Sequence, residues 1–305
     1  MITEDRKKEI ARALEAYQTA HSLSQAKLAG IVGVSASYLS HISQANWHAV
    51  PSGGGKTTTI SDATWQQLER ALAMTGAGAR VFETANYRAV IETLTMAKHT
   101  AGTTIIDGDT GAGKTFAIAE FQRKHPSGTF VVKCSNAMTA ADFVRALADA
   151  VGLSMTGSRS KVLRAVAERL MREKFPLLII DEAETIVKKP LAISYLKDLY
   201  DMVEERVGIV ICGANGLLHK LKVKADYNVE SFPQVLRRFG SDPTVLGGLT
   251  VEDAKLISSA FGVDDRAELA RLRSQCPNVG HLCHTLRKRA ALNAAIASTT
   301  STATA

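Results

Sequence analysis

Two stretches of the sequence combine glycines with a lysine and threonines, the residue types that bind phosphate groups. They are SGGGKTTT, residues Ser52–Thr59, and GDTGAGKT, residues Gly108–Thr115. A phosphate-binding loop requires glycines at fixed positions, main-chain N–H groups that face the phosphates, and a helix that begins directly after the loop. In the second stretch four residues separate the first glycine from the last, and Lys114 and Thr115 follow. The second stretch therefore has the required spacing.

The flanking sequence separates the two stretches further. TTIID, residues Thr103–Asp107, predicts a short strand that leads into the second stretch, and FAIAEFQRK after it has the apolar periodicity of a helix. Before the first stretch, Val50 occupies the position where the first glycine is needed, no apolar strand precedes it, and TTTISD is a poor start for a helix. The sequence therefore predicts that phosphate binds at Gly108–Thr115 and that Ser52–Thr59 is a flexible loop.

A lysine, a threonine and two carboxylates supply the chemistry for hydrolysing a nucleoside triphosphate. Lys114 is expected to neutralise the β- and γ-phosphates, and the Thr115 hydroxyl is expected to ligate Mg²⁺. LLII, residues Leu177–Ile180, is an apolar run typical of a buried parallel strand, and Asp181 at its end completes the Mg²⁺ shell. Glu182 is the candidate to orient or deprotonate the attacking water. The predicted nucleotide-binding residues here are Gly108, Asp109, Thr110, Gly111, Ala112, Gly113, Lys114, Thr115, Phe116 and Asp181.

Apolar runs that alternate with helical stretches indicate a parallel sheet. TFVVKC (Thr129–Cys134), LLIID and VGIVICG (Val207–Gly213) each follow a helical stretch, which predicts strand–helix–strand winding with helices on both faces of the sheet. Asn215 follows the last run and is a candidate to contact the γ-phosphate or the attacking water. The alternative for Asn215 is a turn or helix-capping role.

LRRFG, residues Leu236–Gly240, contains two adjacent arginines with no acidic neighbour in sequence. Arg237 or Arg238 is a candidate to reach the γ-phosphate of a neighbouring subunit and to stabilise charge in the transition state. The alternative is ion pairing at the surface. If one of these arginines acts in this way, hydrolysis requires an oligomer.

In this order, the phosphate loop, the Asp-Glu pair, the asparagine, the arginine pair and a trailing helical segment resemble the AAA+ ATPase family over residues 80 to about 297. Three stretches, RVFETANYRAV (Arg80–Val90), LLIIDEAE and LCHTLRKRAALNAA (Leu282–Ala295), are similar to the phage Mu transposition protein B family. The resemblance implies ATP and Mg²⁺ as cofactors and self-association into a helical filament on double-stranded DNA. It also implies that the filament activates a DDE transposase, which in turn promotes hydrolysis, and it places Thr84 near the adenine.

One part of the sequence departs from the AAA+ pattern. The family's lids usually carry an arginine near the γ-phosphate early in their last helix, where this sequence has VGH, residues Val279–His281. Arg287 comes about two turns later. This departure fits weak intrinsic hydrolysis.

The chain divides into five predicted segments within an α/β fold class. A small all-α helix-turn-helix domain (1–75) precedes a linker (76–84). An AAA+ core with a P-loop parallel sheet flanked by helices (85–247) and an α-helical lid (248–297) follow, and a polar, flexible tail (298–305) ends the chain.

The N-terminal segment resembles the phage-repressor helix-turn-helix family. In LSQAKLAGIVGVSASYLSHIS, Ser24 and Ser35 are positioned to begin two short helices and Gly33 to turn the chain between them. The second helix would project three side chains toward a major groove. Sequence-specific DNA recognition, non-specific binding to the DNA backbone and a structural or protein-contact role are the open alternatives. These side chains are Ser37, Tyr38 and His41.

Charge and composition are compatible with a nucleic-acid partner. The 305 residues carry a formal net charge of +7 with a pI of about 9.2, yet residues 1–80 hold 8 Lys and Arg against 6 Asp and Glu, so the excess is diffuse. Basic clusters follow the Asp181-Glu182 motif and Asn215. The family resemblance implies that loops of this region contact DNA. The alternative is that these lysines form a solvated surface. The lysines concerned are Lys188, Lys189, Lys220, Lys222 and Lys224.

Several features predict a protein of the bacterial cytoplasm without a membrane partner. No apolar run reaches the ~18 residues of a membrane span, and the N-terminus lacks the apolar core of a secretory signal. The four cysteines are widely spaced and form no CxxC pair. The expected function is ATP-dependent, mostly non-specific DNA binding that selects target sites and activates a transposase, with hydrolysis controlling release. The alternatives are a helicase loader and a helix-turn-helix repressor with a regulatory ATPase module.

Overall fold

A computed structural model describes residues 2–20, 23–51, 57–75, 81–154 and 157–302. The chain forms two compact units, Met1–Val81 and Phe82–Ala305, and their boundary lies within the predicted linker. Residues 76–80 of that linker lie outside the described part. In the described ranges, no helix combines the length and the apolar character needed to cross a bilayer.

The first unit contains the two short helices predicted from their capping residues. The Ser24 hydroxyl accepts a hydrogen bond from Lys27 N, and the Ser35 hydroxyl accepts one from Tyr38 N. Gly33 ends the first of these helices at a φ of 71°, a left-handed conformation that glycine adopts without strain. Both helices, their caps and the turn are confirmed. The unit consists of α1 (Glu4–Ala20), α2 (Gln25–Val32), α3 (Ala36–Ser43), β1 (Val50–Pro51), β2 (Thr57–Thr58) and α4 (Asp62–Thr75).

Two residues of the SGGGKTTT stretch, Thr57 and Thr58, form a strand. Strands β1 and β2 pair antiparallel, with Val50 opposite Thr58 and Pro51 opposite Thr57. Residues 52–56, between the strands, lie outside the described part. Two-residue strands are too short for a periodic pattern, so the sequence offered no strand signal here. Behind the hairpin, Trp47 packs edge-on against the fully buried Trp65 at 5.5 Å between ring centroids.

The second unit is built on a five-stranded sheet in the order β4-β5-β6-β3-β7, in which every neighbouring pair is parallel. β5 and β6 are buried along their whole length, as continuous apolar runs require. The predicted parallel α/β sheet is confirmed, whereas β7 was not predicted because two residues carry no pattern. The strands are β3 (Thr103–Asp107), β4 (Thr129–Lys133), β5 (Leu177–Asp181), β6 (Gly208–Gly213) and β7 (Thr244–Val245).

Helices pack around the sheet and then form a separate lid core. The lid helices bury a small apolar cluster around Ile257 and Leu282, to which Phe82 also contributes. Phe82 therefore belongs to the second unit and not to the predicted linker. The helices are α5 (Ala85–Thr100), α6 (Lys114–Lys124), α7 (Ala140–Ala150), α8 (Arg159–Met171), α9 (Pro190–Val203), α10 (Leu217–Asp226), α11 (Phe232–Phe239), α12 (Val251–Ser259), α13 (Arg266–Gln275) and α14 (Val279–Thr302). Helix α14 thus continues to Thr302, into the segment predicted as a flexible tail.

The junction between sheet and lid is fixed by side chains of α5 and α12. The Asn86 amide forms two hydrogen bonds with the main chain of Gly247, one to its carbonyl oxygen and one from its N–H. The Asp253 carboxylate accepts a hydrogen bond from Ala85 N at 2.9 Å. The lid therefore begins at a defined point beside β7.

A buried lysine ties α5 to the opposite edge of the sheet. The Lys98 ammonium group donates to the carbonyl oxygens of Ser127 and Phe175, both at 2.9 Å, and to the Thr129 hydroxyl at 3.0 Å. Burial lowers the pKa of Lys98, and the Glu173 charge opposes this change. Lys98 thus holds the segments that lead into β4 and β5.

We expect Lys98→Met to destabilise the second unit by about 1–3 kcal/mol, because it leaves the buried Thr129 hydroxyl and two partly buried carbonyl oxygens without their donor. Both tryptophans, Trp47 and Trp65, lie in the first unit. Urea denaturation followed by circular dichroism should therefore shift, while the tryptophan fluorescence transition stays in place. Lys161→Met, at an exposed position of α8, is the matched control. Equal stability of the two variants would contradict a structural role for Lys98.

Candidate nucleotide-binding site

The predicted phosphate loop connects the end of β3 to the start of α6. Gly111 and Gly113 adopt φ values of 84° and 92°, which favour glycine, and α6 begins at Lys114 directly after the second of them. The N-terminus of α6 therefore directs main-chain N–H groups toward the loop, the arrangement that binds anions. This is the geometry that the Gly108–Thr115 spacing predicts.

Lys114 is buried and its ammonium group is held by the loop itself. It donates to the carbonyl oxygen of Gly108 at 2.6 Å and to that of Asp109 at 2.9 Å. The positive charge thus lies inside the curve of the loop. Phe116, one residue beyond Thr115, lies 6.4 Å from the Tyr87 ring between centroids and lines the same cavity.

Thr115 and Asp181 meet although 66 residues separate them. The Thr115 hydroxyl donates to Asp181 Oδ2 at 2.8 Å, and the N–H of Glu182 donates to Asp181 Oδ1 at 2.9 Å. Burial raises the pKa of the Asp181 carboxyl, and these two hydrogen bonds partly offset that rise. A hydroxyl beside a carboxylate is a pair of hard oxygen donors, which fits the ligand preference of Mg²⁺.

Glu182 leaves the end of β5 in a left-handed conformation, with a φ of 55°. Its carboxylate lies 3.2 Å from Lys133 Nζ of β4 in an ion pair in which both side chains are well exposed. The pair lies at the rim of the cavity. Sequence reasoning missed Lys133, because only the sheet order brings the end of β4 next to the end of β5.

Two further carboxylates hold the turn after β6, and sequence reasoning missed both. Glu184 Oε2 accepts a hydrogen bond from Ala214 N at 3.1 Å. Asp107, the last residue of β3, accepts hydrogen bonds from Leu217 N at 3.2 Å and Leu218 N at 3.0 Å. Acidic groups are stabilising at a helix N-terminus, so Asp107 fixes the start of α10. The Asp-Glu-Ala-Glu spacing was the available signal for Glu184.

Asn215 occupies the turn between these two anchors. It is exposed and has a φ of 56°, and Gly216 after it has a φ of 71°. In the described chain, Gly213 and Ala214 line the cavity at the phosphate loop but Asn215 does not. Its conformation matches the turn role that the sequence left as the alternative.

The N-terminus of α14 lies directly on the phosphate loop. Asn278 Nδ2 donates to the Thr110 carbonyl oxygen at 3.0 Å, and Gly280 N donates to that of Gly111 at 2.9 Å. Between the loop, the strand ends and α14 is a cavity of about 420 Å³. It is lined by Thr110, Gly111, Gly113, Lys114, Thr115, Phe116, Asp181, Glu182, Glu184, Gly213, Ala214 and Gly280.

Three of the predicted site residues serve structural roles within the chain. Thr84 is buried and its hydroxyl caps α5 by accepting from Tyr87 N at 3.1 Å. Arg238 forms an ion pair with Asp201 and stacks on Tyr200 at 4.5 Å from the ring centroid. The Lys189 ammonium group donates to the carbonyl oxygens of Asn136, at 2.9 Å, and Met138. Arg237, in contrast, is exposed, and no other described residue forms an ion pair or hydrogen bond with its guanidinium group.

The remaining lysines of the predicted DNA surface differ in accessibility. Lys188 is exposed and donates to Asn136 Oδ1 at 3.1 Å. On α10, Lys222 is exposed, whereas Lys220 and Lys224 are half-buried and line a shallow groove with Tyr227. The Tyr227 side chain is 81% exposed, which makes this groove both basic and aromatic.

In the first unit, the predicted groove-facing residues of α3 differ in accessibility. Ser37 is exposed, Tyr38 is half-buried against the core, and His41 is half-buried. His41 Nδ1 is fully buried and has no hydrogen-bond partner among the described residues. Ser37 is therefore the most accessible of the three.

The strand order, the phosphate loop, the carboxylates at the strand ends and the helical lid together define an AAA+ α/β fold. A family model for an AAA domain matches residues 95–221. The chain is also similar to the Mu-like prophage FluMu DNA transposition protein B of Haemophilus influenzae. The two are 24% identical over 199 residues, which cover 65% of this chain and 67% of that protein.

Two solved structures resemble this chain at low sequence identity. The Aeropyrum pernix ORC1 protein in complex with DNA aligns with a TM-score of 0.48 and 20% identity, over 68% of this chain and 59% of that chain. Domain III of the Thermotoga maritima replication initiation protein DnaA aligns with a TM-score of 0.45 and 18% identity, over 68% of this chain and 84% of that chain. This chain therefore spans less than two thirds of the ORC1 chain that it matches.

Proposed function

We propose that this protein is an ATP-dependent DNA-binding regulator of DNA transposition that assembles on double-stranded DNA and activates a DDE transposase. The observation that carries the proposal is the hydrogen bond between Thr115 and Asp181, which joins the phosphate loop to the end of β5. The similarity to a phage transposition protein B supports the transposition role. ATP hydrolysis then controls release from DNA.

In this proposal the loop from Gly108 to Phe116 surrounds the triphosphate, with Lys114 as the cationic partner of the β- and γ-phosphates. Thr115 and Asp181 would hold Mg²⁺, which neutralises phosphate charge when bound. Thr84, which caps α5, and its neighbours are proposed to lie near the adenine. The Thr115–Asp181 pair is already within hydrogen-bond distance, so its oxygens need little rearrangement to share an ion.

Glu182 is the proposed group that orients or deprotonates the attacking water. Its side chain lines the cavity and forms an ion pair with Lys133. Asn215, one residue beyond the cavity lining, is the proposed contact to the γ-phosphate. Glu182 directly follows β5, and Asn215 lies in the turn after β6.

Arg237 is the proposed arginine finger, because it is exposed while Arg238 is paired with Asp201 and Tyr200. We expect Arg237→Ala to lower ATP hydrolysis by the DNA-bound assembly by on the order of 10³-fold, since an arginine finger stabilises transition-state charge. Binding of ATP by isolated subunits should not change. Phosphate release by Arg237→Ala and Arg238→Ala, each measured with duplex DNA, distinguishes the two arginines.

Mixed assemblies test whether the arginine acts between subunits. Arg237→Ala supplies an intact Glu182, and Glu182→Gln supplies an intact Arg237. Mixing the two inactive variants should restore part of the hydrolysis, because some sites then combine both groups. Normal turnover by Arg237→Ala alone, or no recovery on mixing, would count against a finger at this position.

DNA binding is proposed to use lysines of the second unit together with Ser37, Tyr38 and His41 of α3. Lys188, Lys220, Lys222 and Lys224 would neutralise DNA phosphates, which makes the affinity fall with salt and largely independent of sequence. Lys189 is the weakest member of this set, since its ammonium group is held by two carbonyl oxygens.

Electron microscopy of the protein with random-sequence duplex DNA tests the proposed function. We expect extended assemblies with ATP, and none with ADP or without nucleotide. Addition of the assemblies to a DDE transposase of the same mobile element should increase strand transfer. Equal coating of DNA without nucleotide would refute ATP-dependent assembly. Binding to a hexameric helicase would instead favour a loader, and protection of one operator without assembly would favour a repressor.

A further inference from the structure

The contact between α14 and the phosphate loop, here called the lid latch, consists of two hydrogen bonds. Asn278 Nδ2 donates to the carbonyl oxygen of Thr110, and Gly280 N donates to that of Gly111. The two acceptors belong to consecutive peptide groups. The lid latch therefore grips the main chain of the loop and not its side chains.

Gripping these carbonyl groups also fixes the N–H groups that follow them. A trans peptide group is planar and its C=O and N–H point in opposite directions. The lid latch thus turns the N–H of Gly111 and of Ala112 away from α14, and Ala112 N donates to the Asp109 carbonyl oxygen at 3.1 Å within the loop. Since a phosphate loop binds through main-chain N–H groups, the lid latch orients one such group, the N–H of Gly111, while the N–H of Ala112 stabilises the loop itself.

An asparagine at position 278 can make both contacts because its side-chain amide has an acceptor oxygen and a donor nitrogen. Oδ1 accepts a hydrogen bond from His281 N at 2.9 Å and so caps α14, while Nδ2 donates to Thr110. Serine, threonine or aspartate would cap the helix equally well. Of the common capping side chains, only asparagine caps and also donates to a carbonyl oxygen from the same planar group.

Two glycines permit the close approach. A Cβ on Gly280 would lie 3.2 Å from both Cα and the carbonyl oxygen of Gly111. A Cβ on Gly111 would lie 2.4 Å from Asn278 Oδ1, and Gly111 also has a φ of 84°. A side chain at Gly111 is therefore incompatible with the lid latch, whereas one at Gly280 would displace Gly111 by a few tenths of an ångström.

We infer that Asn278 is a positioning residue for nucleotide binding: through the lid latch it holds the phosphate-loop peptide groups in the orientation that receives the triphosphate. This inference rests on the proposed ATP site. In the resembled family a lid arginine near the γ-phosphate contributes to nucleotide binding. In this chain we assign part of that contribution to Asn278. Closure of the lid and affinity for ATP are then linked through main-chain geometry.

Asn278→Asp tests the inference, because it keeps the helix cap and replaces the donor to Thr110 by an acceptor. We expect the Kd for Mg²⁺–ATP, measured by calorimetry, to rise about tenfold. The KM for ATP should rise by a similar factor while kcat at saturating ATP changes little. Gly280→Ala should have the same effect through its clash with Gly111.

The matched control removes a lid cap that does not touch the loop. Asp265 caps α13 by accepting from Glu268 N at 2.8 Å, so Asp265→Ala should leave the Kd unchanged. An unchanged Kd in both Asn278→Asp and Gly280→Ala, or an equal loss in Asp265→Ala, would overturn the inference and leave the ATP site in place. Tighter binding by Asn278→Asp would also overturn it. Failure of the unaltered protein to bind ATP would instead remove the proposed site itself.

Discussion

Lys114→Ala is expected to abolish ATP binding at micromolar concentrations and, with it, assembly on DNA. Lys114 is the buried cation inside the phosphate loop, held 2.6 Å from the Gly108 carbonyl oxygen. Charge-assisted hydrogen bonds to phosphate are worth ~1.5–3 kcal/mol each, so the loss of bonds to two phosphates should raise the Kd by on the order of 100-fold. Calorimetry with Mg²⁺–ATP measures the loss, and electron microscopy with duplex DNA measures the failure to assemble.

The control for this prediction is Lys124→Ala, at the exposed end of the same helix, where the lysine lies 3.4 Å from the Tyr87 hydroxyl. That variant should bind ATP normally. Circular dichroism should show whether the Lys114→Ala protein is folded, because the change also removes the donor to the carbonyl oxygens of Gly108 and Asp109. Retained ATP affinity in a folded Lys114→Ala protein would show that the loop from Gly108 to Thr115 is not the nucleotide site.

Glu182→Gln is expected to separate binding from hydrolysis. An amide cannot accept the proton of the attacking water, and loss of a general base typically costs 10²–10⁴-fold, so hydrolysis should fall on the order of 10³-fold. ATP affinity should stay within a few-fold, because Thr115, Lys114 and Asp181 are intact. Phosphate release gives the rate, and DNA complexes formed in ATP should persist long after dilution.

The Glu182→Gln change is not expected to alter the stability of the fold. Glu182 pairs with Lys133 at the surface, and exposed ion pairs contribute little to the free energy of unfolding. Glu168→Gln, at an exposed position of α8, is the control for removing a carboxylate from the same unit. An unchanged hydrolysis rate in Glu182→Gln would remove Glu182 from the catalytic group and direct attention to Glu184.

The sequence predicted the central strands and the carboxylate at the end of β5, because a buried parallel strand needs a continuous apolar run and the polar residue after it marks its end. The spacing of Gly108 to Thr115 predicted the loop for a similar local reason. The contacts of Asp107 and Glu184 could not be predicted in this way. Asp107 meets Leu217, which is 110 residues away, and only the sheet order brings the two together.

The arginine pair is a second case in which the sequence alone could not predict the contacts of a residue. Arg237 and Arg238 are neighbours in sequence, but one is exposed and the other lies against Tyr200 and Asp201 of α9. Which of two adjacent helical residues faces inward depends on how α11 is rotated against α9. That rotation is set by tertiary packing, which a local pattern does not contain.

The length of helix α14 allows a small movement at the lid latch to become a larger one at the other end of the helix. The helix starts beside the phosphate loop at Val279 and continues to Thr302. At 1.5 Å per residue it is a rod of about 36 Å, so a tilt of about 10° at its first turn moves the far end by roughly 6 Å. A shift of a fraction of an ångström at Gly111 is thereby magnified at the far end of α14. A molecule bound at that end can therefore respond to whether nucleotide occupies the site.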